Sequence, residues 1–160
     1  MLTPVSPIEQ IETEEIIENI HLNLLAPMII TSNYLKHTKN LNVDKRILNI
    51  SSASAKYLIP SQSCYSTAKA GLDSFTKSIE IEQKLVVHPA KVVAVYPGMI
   101  DTKLQADIRS VSENLFPYVN EFVRLSEEGR LQTPEYTALK LIEILLSEDF
   151  GKAVVLETID

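Results

Sequence analysis

The chain has 160 residues and a formal net charge of -6 at pH 7, so it offers no basic surface for the phosphates of a nucleic acid. Its longest apolar runs, such as LLAPMII, fall far short of the ~20 residues that a membrane-spanning helix needs, and its first residues have neither the basic start nor the apolar centre of a signal peptide. The single cysteine, Cys64, excludes an internal disulfide and is typical of a reducing cytoplasm. We therefore expect one soluble, cytoplasmic domain over residues 1–160, without a nucleic-acid or membrane partner.

The N-terminal quarter is predicted to be helical. The segment SPIE at Ser6–Glu9 has the pattern of a capping box before a short helical turn. Thr13 is predicted to cap the next helix, whose apolar residues recur at helical spacing to about His37. Pro27 lies inside this helix and has no N–H to donate to the carbonyl of Asn23, which makes that carbonyl a candidate site for an ordered water.

The middle of the chain predicts a βαβ unit. Two short β-favouring runs, at Arg46–Ser51 and Lys91–Gly98, do not alternate cleanly between apolar and polar residues, which indicates strands buried on both faces. The residues between them, from about Ser63 to Val87, favour one long helix. We therefore expect an α/β fold with a mostly parallel sheet and a right-handed crossover.

The C-terminal third predicts a less regular region followed by one helix and one strand. The segment Asp101–Gly129 is expected to form short helices over a cleft. Thr133 is predicted to cap a helix that has Pro134 in its first turn and ends near Gly151. The run Ala153–Glu157 is predicted to be the last strand.

Polar residues are predicted to converge at one edge of this sheet, because ligands of open parallel sheets bind beyond the carboxyl ends of the strands. They end the two middle strands or open the helix between them: Ser51, Ser52, Pro97, Gly98, Tyr65 and Lys69. A phenol has an ordinary pKa of ~10, which is too high for efficient proton transfer near neutrality. We expect the Lys69 ammonium, one helical turn from Tyr65, to lower the pKa of that phenol. With the Ser52 hydroxyl holding a carbonyl group, this set can protonate the carbonyl oxygen while hydride arrives at its carbon.

These residues also resemble a known family. The sequence NISS followed by YSTAK, with Tyr65 thirteen residues after Ser52, resembles the short-chain dehydrogenase/reductase family, as does HLNLLAP around Asn23. The resemblance implies a Rossmann-like doubly wound parallel sheet, an NAD(P)H-dependent oxidoreductase and a catalytic set of Asn23, Ser52, Tyr65 and Lys69. It also implies a homodimer built on the helices that hold Asn23 and Tyr65.

Further motifs resemble the cofactor and substrate segments of that family. YPGMIDT is similar to its PG-x-x-x-T segment, and the longer stretches YPGMIDTKLQ and VLETID resemble the sepiapterin reductase branch, which includes bacterial benzil reductases. The resemblance implies NADPH, in preference to NADH, as the cofactor and a diketone or pterin-like carbonyl compound as the substrate. The implied cofactor contacts are Tyr65, Lys69, Pro97, Gly98, Ile100 and Thr102. The implied substrate contacts are Ser52, Tyr65 and Glu157, where the family has Asp in place of Glu157.

Part of the family pattern has no counterpart here. Family members begin with a glycine-rich TGxxxGxG turn and continue to an NNAG segment, whereas this chain has four glycines, none near another. MLTPVSP resembles the residues that come directly after NNAG, so the chain is expected to correspond to the C-terminal two-thirds of such an enzyme. Roughly 80 residues, the first βαβαβ half that cradles adenine and pyrophosphate, would then be lacking, with an exposed sheet edge beside ILNIS. The alternative function is therefore a truncated, cofactor-incompetent remnant that dimerises without catalysis.

Other reactive residues predict no additional chemistry. His21, His37 and His88 are too scattered in the sequence for a metal site, so no metal is expected. Cys64 has no suggested histidine partner and is predicted to be a small packing residue.

Overall fold

The computed structural model of the chain describes residues 4–159. The start of the MLTPVSP stretch and the final residue of VLETID lie outside this range. The helices are α1 Thr13–Ile20, α2 Ala26–Thr38, α3 Ser63–Gln83, α4 Lys103–Arg109, α5 Val119–Glu127 and α6 Pro134–Leu146, and the strands are β1 Lys45–Ile50, β2 Ala90–Val95 and β3 Val155–Leu156. A π-helical segment, His21–Leu25, joins α1 to α2, and two short 3-10 turns occur at Ile8–Gln10 and Ala53–Ala55.

The three strands form a parallel sheet in the order β1-β2-β3, which confirms the predicted α/β class. Strand β2 is central, and all its residues except Lys91 are buried, as expected for a strand covered on both faces. Within residues 4–159, β1 has a hydrogen-bonded neighbour on one side only. The other edge of β1 is therefore open, as the sequence predicted beside ILNIS.

The predicted capping of the first helical elements was wrong at both sites. Pro7, and not Ser6, precedes the first 3-10 turn, and no side chain caps it. Helix α1 begins at Thr13, but its cap is Glu12, whose backbone N–H donates to Glu15 Oε2 at 3.1 Å while its carboxylate accepts from the Glu15 backbone. Glu12, one residue earlier, takes part in both bonds of a capping box with Glu15, so Thr13 takes the first helical position instead.

The long helix predicted to reach about His37 is present, but it is interrupted by the π segment. The N–H of Ala26 donates to the carbonyl of His21, five residues back. Pro27 follows directly and cannot donate, so the wider turn falls where the regular ladder is broken. Asn23 lies in the middle of this segment and is buried.

Two helices and the last strand are shorter than predicted, whereas the predicted cap of the last helix is confirmed. Helix α3 ends at Gln83 and not near Val87. Helix α6 ends at Leu146, because Ser147 has an extended backbone conformation, and β3 is restricted to two residues. The Thr133 hydroxyl accepts a hydrogen bond from the N–H of Tyr136 at 3.1 Å, as a helix cap should.

One apolar cluster supports the sheet edge where the polar residues meet. It consists of Val5, Ile108, Phe116 and Val119, and the partly buried Tyr65 packs against it. The cluster links the irregular region after β2 to the first turn of α3. No helix in the described range combines the length and apolarity that a bilayer span requires.

Candidate active site

A cavity of about 530 Å³ lies at the carboxyl ends of β1 and β2. Its lining includes every residue that the sequence singled out as a site residue: Asn23, Ser52, Tyr65, Lys69, Pro97, Gly98, Ile100, Thr102 and Glu157. The π segment, the end of β1, the start of α3, the segment after β2 and the end of β3 each contribute to it. Sheet topology explains this convergence, because parallel strands present their carboxyl ends at one edge.

Tyr65 and Ser52 lie beside each other at this edge. Tyr65 is in the first turn of α3, and Ser52 follows β1 in an extended conformation, with its hydroxyl accepting from the N–H of Ser54 at 3.1 Å. Burial raises the pKa of the Tyr65 phenol, and the neighbouring Ser52 side chain partly opposes this. The net direction contradicts the predicted lowering of the Tyr65 pKa.

Lys69 lies beside this pair but does not reverse the effect of burial. Its ammonium donates to the carbonyl of Ile50 at 2.8 Å and lies 5.6 Å from the centre of the Tyr65 ring. Burial lowers the pKa of Lys69 to about 8, and the Asp73 carboxylate opposes this shift. The charge of Lys69 is thus directed at the end of β1, which explains why the one-turn argument from the sequence failed for Tyr65.

The neighbouring serine, Ser51, has a different position. It is buried, and its hydroxyl donates to the main-chain carbonyl of Lys69 at 3.3 Å. This bond joins the end of β1 to the turn of α3 that carries Lys69. Both serines line the cavity, but the Ser51 hydroxyl is bonded to the helix.

Asn23 contributes to the cavity wall from within the helix. Its side-chain amide donates to the carbonyl of Asn19 at 3.0 Å and lies 3.3 Å from Asn19 Oδ1. Both asparagines are buried. The side chain is therefore fixed along the helix axis.

The segment after β2 is held in place by backbone hydrogen bonds to Gln132. The N–H of Gln132 donates to the Met99 carbonyl at 2.8 Å, and the Gln132 carbonyl accepts from the N–H of Asp101 at 2.9 Å. Gly98 has φ +83°, and a Cβ there would lie 3.2 Å from Gln132 Oε1. Both the backbone conformation and the crowding favour glycine at this position.

The residues around the cavity would suit the nicotinamide half of a dinucleotide cofactor. Two groups of the cavity wall would suit a nicotinamide and its ribose. One is the segment after β2, where the Thr102 hydroxyl is bonded to the Ile100 carbonyl at 3.3 Å, and the other is the Lys69 ammonium. No glycine-rich turn for a pyrophosphate occurs in the sequence.

Glu157 lies at the rim and is paired with a residue that the sequence did not single out. Lys56 donates to both carboxylate oxygens, at 2.7 and 2.9 Å, and lies over the Tyr57 ring. The hydrogen bond with Glu157 raises the pKa of Lys56. A substrate that uses Glu157 must compete with this ion pair, whose partners are 101 residues apart in the sequence.

Sequence reasoning missed two further groups. The Tyr96 hydroxyl donates to Asp73 Oδ2 at 2.5 Å, and the only sequence signals were the position of Asp73 one turn beyond Lys69 and of Tyr96 directly before PG. Gln105 is 5% exposed and lines the cavity, and its Oε1 has no hydrogen-bond partner among the described residues. Nothing in the sequence distinguished Gln105 from other glutamines.

The fold is a parallel, Rossmann-like α/β sheet with Ser52, Tyr65 and Lys69 around a cavity at its carboxyl edge. A family model described as short chain dehydrogenase matches residues 2–113, and the chain belongs to that family. This confirms the resemblance inferred from NISS, YSTAK and YPGMIDT.

Individual relatives agree with the predicted branch. The chain is 43% identical over 155 residues to benzil reductase ((S)-benzoin forming) of Bacillus cereus, covering 97% of this chain and 62% of that protein. It is 30% identical over 131 residues to sepiapterin reductase of Meriones unguiculatus, covering 81% of this chain and 48% of that protein.

A solved structure confirms the Rossmann-like fold. The crystal structure of the KRED1-Pglu enzyme superposes with a TM-score of 0.80 at 24% identity, covering 99% of this chain and 64% of that one. The chain thus spans less than two thirds of the length of these proteins.

Proposed function

We propose that this chain carries the catalytic and nicotinamide-facing part of an NAD(P)H-dependent carbonyl reductase, with NADPH in preference to NADH. The observation that supports this most is the meeting of Ser52, Tyr65 and Lys69 at one cavity beside the pinned segment after β2. A chance Tyr–Lys pair on a solvated helix face would not also adjoin a strand-end serine and a positive-φ glycine.

The proposed roles derive from chemistry and position. The Ser52 hydroxyl donates to the substrate carbonyl and orients it, and the Tyr65 phenol donates its proton to the same oxygen as negative charge develops there. Lys69 supplies positive charge beside the phenol and a donor for a ribose hydroxyl. Asn23 lies in the helical wall of the cavity, where we propose that a bound water resupplies protons to the site. A nicotinamide, when bound, supplies the hydride.

The proposed substrates are diketones or pterin-like carbonyl compounds. A cavity of about 530 Å³ falls within the size range of small-molecule sites, and relatives named benzil reductase and sepiapterin reductase support this class. A diketone with apolar flanks needs no charged anchor, whereas a pterin held by Glu157 requires that Lys56 release its carboxylate.

The test of this function is a fluorescence titration of the chain with NADPH. We expect saturable binding in the micromolar range, because backbone hydrogen bonds to Gln132 already hold the proposed nicotinamide-facing segment. Tyr65→Phe should bind with an affinity within about tenfold of the wild type, since it removes one hydroxyl and therefore about one hydrogen bond. The absence of binding up to millimolar NADPH would overturn the proposal.

A second candidate is the cofactor-incompetent remnant that only dimerises. The observation that favours it, for these 160 residues by themselves, is that they include no glycine-rich turn. Backbone amides of such a turn supply much of the phosphate affinity in dinucleotide-binding folds. The same titration decides between the two candidates.

We also propose a homodimer formed through α2 and α3. A groove between these helices is lined by Leu25, Met28, Ile29, Phe75 and Ile79, among others, and the Ile29 side chain is 47% exposed. Burial of apolar surface of this kind stabilises a dimer.

The single cysteine, Cys64, is buried and suits a reducing compartment such as the cytoplasm.

Ile29→Lys is expected to convert this dimer to a monomer, because the substitution places a charge in the groove where desolvation is costly. Light scattering coupled to gel filtration measures the change in mass. The matched control is Ile142→Lys on α6, which is 51% exposed and lies outside the groove. A dimer that survives Ile29→Lys, or one that Ile142→Lys dissociates equally well, would contradict this interface.

A further inference from the structure

Behind Lys69 lies a buried acidic group that the proposed chemistry does not use. Asp73 is 6% exposed and follows Lys69 by one turn of α3. Its Oδ2 accepts from the Tyr96 hydroxyl at 2.5 Å, and its Oδ1 has no hydrogen-bond partner among the described residues. A buried carboxylate with one oxygen unbonded is costly unless a positive charge lies near it.

Lys69 and Lys77 both lie four residues from Asp73 on α3, but Lys77 is exposed, whereas Lys69 lines the cavity. Residues four apart on a helix are neighbours, and the Asp73 charge acts on Lys69 in the direction that keeps the ammonium protonated. Tyr96 is itself 4% exposed and lines the cavity with Lys69. Burial and the Asp73 carboxylate both raise the pKa of the Tyr96 phenol, so it remains a neutral donor.

We propose that the Asp73 carboxylate, fixed by the Tyr96 hydroxyl, is the buried counter-charge of the Lys69 ammonium and a positioning residue of this site. The carboxylate stabilises the ammonium from the side away from the cavity. The Ile50 carbonyl accepts a hydrogen bond from the ammonium at 2.8 Å and so fixes its direction. Any effect of Asp73 on catalysis rests on the proposed function, in which the charged Lys69 supports proton donation by Tyr65.

The other charged or titratable groups near Lys69 do not replace Asp73. Tyr65 is the phenol that the ammonium is proposed to assist, and Glu157 is already paired with Lys56. Tyr57 is exposed and lies against Lys56. From the π segment, His21 is exposed and Asn23 is uncharged.

The test is an NMR titration of the Lys69 ε-carbon in lysine-labelled chain, with Lys69→Arg to assign the signal. We expect a midpoint near pH 8 in the wild type and a midpoint lower by about one unit or more in Asp73→Asn, because the opposing charge is gone. Asp73→Ser removes the same charge with a smaller side chain and should shift the midpoint in the same direction if the asparagine variant does not fold.

The direction of the shift separates this role from a merely structural one. Loosened packing would hydrate Lys69 and raise its midpoint toward that of an ordinary lysine, so a rise or an unchanged midpoint in a folded Asp73 variant would overturn the inference. Glu157→Gln is the matched control: it removes one acidic charge from the cavity that Lys69 lines, and we expect a much smaller shift.

The titration needs no cofactor, so its outcome is distinguishable from that of the NADPH experiment. A downward shift without NADPH binding supports the counter-charge and rejects the reductase. NADPH binding without the shift rejects the counter-charge alone.

Discussion

Tyr65→Phe is expected to slow diketone reduction by about a hundred- to ten-thousand-fold, the range associated with loss of a positioned general acid. The substitution preserves the ring that packs against the Ile108 and Phe116 cluster and removes only the phenolic O–H. Benzil reduction, followed by the loss of NADPH absorbance at saturating NADPH, measures the effect. Binding of NADPH should change far less than the rate, because the phenol acts on the substrate oxygen.

Tyr57→Phe is the matched control for this experiment. Tyr57 also lines the cavity, but its side chain is 60% exposed and lies beside Lys56 at the rim. The same chemical change at this position should leave the rate within a few-fold of the wild type. If Tyr65→Phe kept more than about a tenth of the wild-type rate, Tyr65 would not be the general acid.

Burial shifts the pKa values of Tyr65 and Lys69 in opposite directions. The Tyr65 phenol is harder to ionise, with its pKa raised, whereas the pKa of Lys69 is lowered to about 8. A neutral phenol is the form that donates a proton, and a carbonyl reductase requires donation. The raised pKa is therefore compatible with the proposed direction of reaction, provided that Lys69 remains charged when negative charge develops on Tyr65.

The sheet edge and its polar residues were predictable because their signals are local. Short β-favouring runs identified β1 and β2, although only β2 is buried along its length. Parallel topology then required Ser52 and Gly98 to meet at one edge. The spacing of Tyr65 and Lys69 on a helix was sufficient to place both at the same cavity. Each inference needed only a short stretch of sequence and one geometric rule.

The remaining features depend on distant or burial-dependent interactions. The Lys56–Glu157 pair joins residues 101 positions apart, and the Tyr96–Asp73 bond joins residues 23 apart, so neither has a local signature. The pKa of Tyr65 was predicted in the wrong direction because spacing reports a neighbouring charge but not the loss of water around the phenol. The Glu12 cap was missed because Thr13 satisfied the same residue preference one position later.

Phe116→Ala is expected to lower the free energy of unfolding by about 3–5 kcal/mol, as large-to-small changes in well-packed cores do. Phe116 is fully buried, and its ring meets that of Phe122 edge-on at 5.4 Å between centroids. Typical domains have only about 5–15 kcal/mol of stability in total, so the variant should unfold at much lower urea concentration. Circular dichroism across a urea series measures the change.

The control is Leu139→Ala on α6, where the leucine is 61% exposed and a change of less than about 0.5 kcal/mol is expected. A cost below about 1 kcal/mol for Phe116→Ala would mean that this cluster does not support the fold. Because Tyr65 packs against the same cluster, the variant should also weaken the Tyr65–Ser52 arrangement at temperatures where it is still folded. A lower rate of diketone reduction with unchanged secondary structure would then connect the apolar core directly to the position of the proposed proton donor.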